Sequence, residues 1–196
     1  MMKVLIIISA VLLSTCSVLP EQVPVDLYQL PAPTLRASAA GPRLASLRID
    51  RPISSEALSG SRLLIMMANN QFQAFPNMRL AAPVPLLWRD WLLDAFWRDG
   101  RVDGLSAASA GLQSALELGG TLRAFHVDNA GTQAQAVIQY DATLISTADR
   151  RIVASRRFEA RHTLDSVEVS SAIAALGVAA NQVATELIEW TVQQGQ

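Results

Sequence analysis

The chain of 196 residues holds one cysteine, Cys16, and one lysine, Lys3. A single thiol excludes a disulfide framework. After Lys3 no lysine remains to form a Schiff base, and after Cys16 no thiol remains to act as a nucleophile. The two histidines, His126 and His162, stand in no metal-ligand spacing such as HExxH. No phosphate loop, GxGxxG or GxSxG is present, and Gly119-Gly120 sits alone inside an apparent strand. The net charge is −1 with no basic block, so nucleic acid is not an expected partner. No cofactor, metal or enzymatic role is expected. The enzymatic alternative is a Ser/His/Asp site assembled from distant residues. The plainer reading places both histidines on strands near sheet ends.

What the chain does have begins at its start. Met1-Met2-Lys3 is positive, Val4 to Leu13 is almost wholly apolar, and Leu13-Ser14-Thr15-Cys16 follows. That order is the layout of a bacterial lipoprotein signal peptide, in which the thiol of Cys16 receives lipid after cleavage before it. A plain secretory signal with an incidental cysteine is the rival reading, and Thr15 fits it. Ser9, Ser14, Thr15 and Ser17 interrupt the run, which falls short of the ~20 apolar residues that span a bilayer. Residues 1–15 are thus expected as signal peptide and 16–42 as a lipidated, proline-rich tether. A single domain is expected over 43–196. Within the tether, residues 25–30 alternate like a short edge strand, with Tyr28 as its anchor.

Periodicity assigns the rest. Residues 44–50 alternate, with Leu47 and Ile49 on one side. Residues 62–67 and 71–75 read as a hairpin around Asn69-Asn70, because asparagine tolerates positive φ. Pro83 and Pro85 suit the first turn of a helix that runs to about Arg98 and stops at Gly100. Its stripe includes Trp88 and Trp91, read as core, while Trp97 is the least core-like tryptophan by position. Residues 103–114 read as loop. Three alternating strands follow, over about 116–124, 134–144 and 152–164, with Arg156 breaking the apolar face of the last. A long alanine-rich helix closes the chain over 166–191, capped by Ser170 or Ser171. The expected fold class is α+β: an antiparallel-rich sheet with two amphipathic helices packed on one face.

Together these stretches resemble the ABC-type transport auxiliary lipoprotein family, the PqiC/YmbA-like group. The likeness runs through Cys16, Leu27-Tyr28-Gln29-Leu30, Ile49-x-x-Pro52, Arg79-Leu80-Ala81-Ala82-Pro83, Leu122-Arg123-Ala124-Phe125 and the closing helix with Trp190. In the family a tryptophan commonly follows the arginine that is Arg79 here, where this chain has Leu80. The resemblance implies a non-enzymatic periplasmic lipoprotein partnering an MCE-domain protein and an ABC permease. Such systems move lipids or other hydrophobic molecules across the Gram-negative envelope. It also implies membrane attachment through Cys16, with outer-membrane sorting favoured by Ser17, and allows a homo-oligomer as a docking ring. Phe72, Phe75 and Met78, in the 69–82 stretch, are the candidate partner surface. Packing of that stretch onto the first helix is the competing reading. A structural or assembly lipoprotein of another outer-membrane machine is the alternative function.

Overall fold

The computed structural model describes residues 24–196, so Cys16 and the signal segment lie outside the described residues. Ten strands and two α-helices follow in order. They are β1 (Asp26–Tyr28), β2 (Leu44–Ile49), β3 (Ile53–Ser54), β4 (Leu64–Met67), β5 (Phe72–Ala74), β6 (Met78–Leu80), α1 (Val84–Asp99), β7 (Val102–Ala107), β8 (Leu116–Asn129), β9 (Gln135–Ser146), β10 (Ile152–Thr163) and α2 (Val169–Gln194).

The main sheet runs β10-β9-β8-β2-β7, and β8 is its spine. Along one side β8 pairs antiparallel with β9 from Leu116↔Ser146 to Asp128↔Gln135. Along the other it takes three short parallel segments in succession: β2 at Leu116–Leu118, β3 at Thr121–Leu122 and β4 at Val127–Asn129. The expected antiparallel-rich sheet is therefore a mixed one. The long β8-β9-β10 meander and the β4-β5 hairpin are antiparallel, but every partner on the other side of β8 is parallel. A second correction concerns residues 103–114. They were expected as loop, yet β7 forms there, parallel to β2. Its small residues carry no alternation, and a Cβ on Gly104 would sit 3.0 Å from the Ala45 carbonyl oxygen. Close backbone approach, rather than side-chain pattern, makes this strand.

Both helices cover one sheet face. A bulge at Arg123 keeps Leu122 and Phe125 on that face despite their odd spacing. Tyr140, wholly buried, lies beside them in register with Leu122 and Phe158. Trp88 of α1 meets Phe125 and Tyr140 edge-on at 6.4 and 6.1 Å, and Trp190 of α2 meets Phe158 at 5.5 Å. Each such buried aromatic contributes roughly 1.5–3 kcal/mol by area. The Tyr140 hydroxyl donates to the Gly119 carbonyl at 2.7 Å, so this buried polar atom is satisfied, whereas the Trp88 indole N–H beside it has no partner among the described residues. α1 ends where expected, at Gly100 with φ +75°. α2 is long and apolar enough to cross a bilayer, but its apolar side is buried on the sheet. Its expected serine cap is absent. Ser171 instead accepts the Asp165 and Ser166 amides of the preceding loop. Arg156, out of pattern on the helix face, is on the edge strand, where it pairs with Glu186 at 3.4 Å and lies over the Phe158 ring.

Residues 29–38 cross the helices as a strap. Leu30 and Pro33 are buried, and the Trp91 indole donates to the Pro31 carbonyl at 2.8 Å. The Thr34 amide donates to Asn181 of α2 at 2.8 Å, and the Ser38 amide to the Asp99 carbonyl at the end of α1 at 2.9 Å. β1 does pair, parallel to β6, with Tyr28 half-buried. Much of the proline-rich stretch read as tether is thus packed onto the body. Proline fixes φ, so docking it forfeits little backbone entropy.

Gly120 supports the sharpest fold prediction. Its φ is +140°, and a Cβ there would lie 2.0 Å from the Asp141 carbonyl oxygen. Gly120→Ala should cost about 3 kcal/mol or more in chemical denaturation, whereas Gly60→Ala, with open space around it, should stay within about 0.5 kcal/mol. Equal midpoints for the two variants would contradict the register of β8 against β9.

Candidate functional site

Three features of the described residues have functional geometry: a groove, an ion-paired seam and a buried histidine. The groove lies between the strap and α1. Its walls are Leu30, Pro33, Ala81, Ala82, Leu87 and Trp91, its rim carries Gln29, Asp90 and Asp94, and it encloses about 450 Å³. Trp91 is held in place from two sides. It stacks flat on Trp88, with centroids 5.8 Å apart and planes 6° apart, and it donates to Pro31. Asp90 accepts from Arg89 at 2.6 Å and Asp94 from Arg98 at 2.9 Å, so both rim carboxylates are ion-paired.

The seam joins α1 to α2. Asp99, buried, takes two hydrogen bonds from the Arg101 guanidinium at 2.8 and 3.1 Å and one from the Arg101 amide at 3.3 Å, and Arg101 also reaches Glu189 at 2.6 Å. Hydrogen bonding to Asp99 holds the guanidinium still more firmly in its charged form, and the same contact with Arg101 lowers the Glu189 carboxyl. On the outer sheet face Asp141 is gripped by Arg157 and Arg123 and is pushed down to about 2. These pairs are structural in form: every charge points at a counter-charge of this chain.

The sequence-predicted candidates are divided by the structure. Phe75 and Met78 are buried in the core, at 6 % and 4 % exposure, while Phe72 is 40 % exposed. Leu80 is also core. Trp97 is exposed, in line with its position off the stripe. Phe72 packs edge-on against His126 at 5.2 Å. His126 is buried on β8, and its Nδ1 has no hydrogen-bond partner among the described residues. His162 is exposed on β10. No group of three or more His, Cys, Asp or Glu side chains among the described residues is placed to hold a metal ion. The groove and the seam were missed by sequence reasoning. Their residues converge from the strap, the turn after β6, α1, the turn that follows it and α2, and no local spacing marks that meeting.

The chain is a strapped, mixed α+β domain with an open groove between the strap and α1. Its family is shown by comparison. The chain belongs to the ABC-type transport auxiliary lipoprotein component family, whose model matches residues 28–188. An uncharacterized protein of Bradyrhizobium diazoefficiens is 29% identical over 165 residues, covering 84% of this chain. The chain spans 44% of that relative's length. A crystal structure of a Xanthomonas campestris protein is similar with TM-score 0.79 and 25% identity, covering 87% of this chain and 97% of that one. PelC of Paraburkholderia phytofirmans, crystallised as a dodecamer, has the same fold at TM-score 0.51 and 10% identity, covering 86% and 96%.

Three outcomes are expected here. Trp91→Phe removes the indole hydrogen bond and should cost about 1 kcal/mol. Gly177→Val would add atoms where a Cβ already lies 2.9 Å from Pro31, and should release the strap. Hydrogen exchange at the Thr34 and Ser38 amides reads this directly; unchanged protection in Gly177→Val would contradict the docking. The third outcome concerns pH. Burial lowers the His126 imidazole below its ordinary 6.5, with Arg161 adding to the shift and Asp128 opposing it. The unfolded chain therefore binds this proton first. Stability should fall as pH drops from about 7 to about 5, and His126→Leu should flatten that slope. Denaturation at both pH values checks it.

Proposed function

We propose that this protein is a non-enzymatic, lipid-anchored docking component of an ABC/MCE-type system moving lipids or other hydrophobic compounds across the Gram-negative envelope. The observation that carries the reading is the family match over 28–188 joined to the charge, apolar run and Cys16 ahead of it. Cleavage before Cys16 leaves a sulfur for acylation. One acyl chain binds a membrane only marginally, whereas two or more hold it stably. Ser17 favours the outer membrane over retention at the inner one. The folded body then stands on the periplasmic side, within reach of an MCE-domain protein and its permease.

The body contributes surfaces rather than chemistry. The groove of Leu30, Trp91 and Leu87 offers an apolar seat, and Phe72 remains from the candidate surface as an exposed aromatic. A ring of copies belongs to this reading. β10 is the end strand of the main sheet, and its exposed Arg157 and Arg161 keep that edge from indiscriminate pairing.

Genetics tests the reading. Cys16→Ala should move the protein out of the membrane fraction and reproduce the envelope defect of a permease deletion. Combining it with that deletion should add nothing. An additive defect, or full function of unanchored protein, would place the protein outside the transport system.

A further inference from the structure

We propose that the β1/β6 face is a membrane-contact face, seated on the phospholipid bilayer that carries the anchor. The inference rests on the anchoring reading given above and adds the orientation of the body. Val25 and Leu27 are 50 % and 72 % exposed. Leu27 is in register with Arg79 on the parallel neighbour β6, so the two side chains stand on one face. Met78 and Leu80 on either side of Arg79 are buried, which turns Arg79 outward. Arg62, also exposed, follows Ser61, whose carbonyl accepts the Leu80 amide at 2.7 Å. Neither arginine forms an ion pair among the described residues, in contrast to Arg89, Arg98, Arg101 and the arginines of β10.

Exposed aliphatic side chains beside unpaired arginines match the boundary between acyl chains and headgroup phosphates. The leash supplies the second argument. Val25 follows Cys16 by nine residues, which reach at most about 30 Å when extended. β1 is thus the first strand of the described fold to follow the anchor. A contact too weak to bind alone becomes effective when tethered, because the leash raises its local concentration. Asp26, the one carboxylate of β1, alternates to the opposite side of the strand from Leu27.

The test uses the full chain, purified from its membranes and reconstituted in phosphatidylethanolamine/phosphatidylglycerol vesicles with brominated lipid. An acylated Cys16 leaves Leu27→Cys as the only free thiol, to be labelled with bimane; Val153→Cys on β10 is the control. Quenching at position 27 should exceed that at 153 at least threefold. Arg62→Glu with Arg79→Glu should at least halve it, and no change there would overturn the part given to the arginines. Equal quenching at 27 and 153 with acyl mass present on Cys16 overturns the contact face and leaves the anchor standing. Shielding of the label from aqueous iodide without bromolipid quenching points to a protein cover and also overturns it. Absence of acyl mass on Cys16 overturns the anchoring reading and this contact with it.

Discussion

Everything in this domain depends on the two-sided pairing of β8. One side is committed to β9 over almost its whole length. The other collects β2, β3 and β4 as consecutive parallel tenants. Parallel neighbours must be reached by crossing connections, so chain between them is carried away from the sheet and returned. The bulge at Arg123 and the close approach at Gly120 set where β8 bends. They also decide that Leu122, Phe125 and Tyr140 face the helices together. Without that alignment Trp88 has no bed, and Trp91 has nothing flat to stack on.

The helices and strap follow from this core. Trp91 translates the position of α1 into the position of Pro31, and Gly177 leaves the gap on α2 that Pro31 fills. The Asp99–Arg101–Glu189 seam fixes α1 to α2 at the far end. A buried ion pair of this kind adds little net stability against an apolar replacement. It makes loss of one partner expensive, because the remaining charge is stranded. The strap of residues 29–38 is therefore bound to both helices.

The legible parts of the fold were those with side-chain periodicity. Leu116 to Leu164 alternates, and the meander is there; the α1 stripe and its Gly100 stop are there; Asn70, at φ 59°, turns the hairpin. The illegible parts were those made by backbone meeting backbone across long separations. β7 has no alternation to read, since Gly104 and its small neighbours form a strand only because β2 lies against them. The strap read as tether because proline density shows extension but not docking; its partners Gly177 and Asn181 lie almost the whole chain away. Phe75 and Met78 looked like surface candidates in a proline-flanked loop, yet each ends in the core, Met78 as the first residue of β6. The family resemblance was legible because it rests on the order of short motifs, and the family match covers those between residues 28 and 188, leaving Cys16, Leu27 and Trp190 outside it.

The central claim is that this chain works as an anchored partner within a transport assembly. Its most direct test is purification of tagged full-length protein from native membranes in mild detergent, with mass spectrometry of all that accompanies it. The account predicts an MCE-domain protein and an ABC permease in the eluate, both lost when Cys16 is replaced by Ala. Recovery of the lipidated protein with components of an unrelated outer-membrane machine, and none of a transporter, would contradict it.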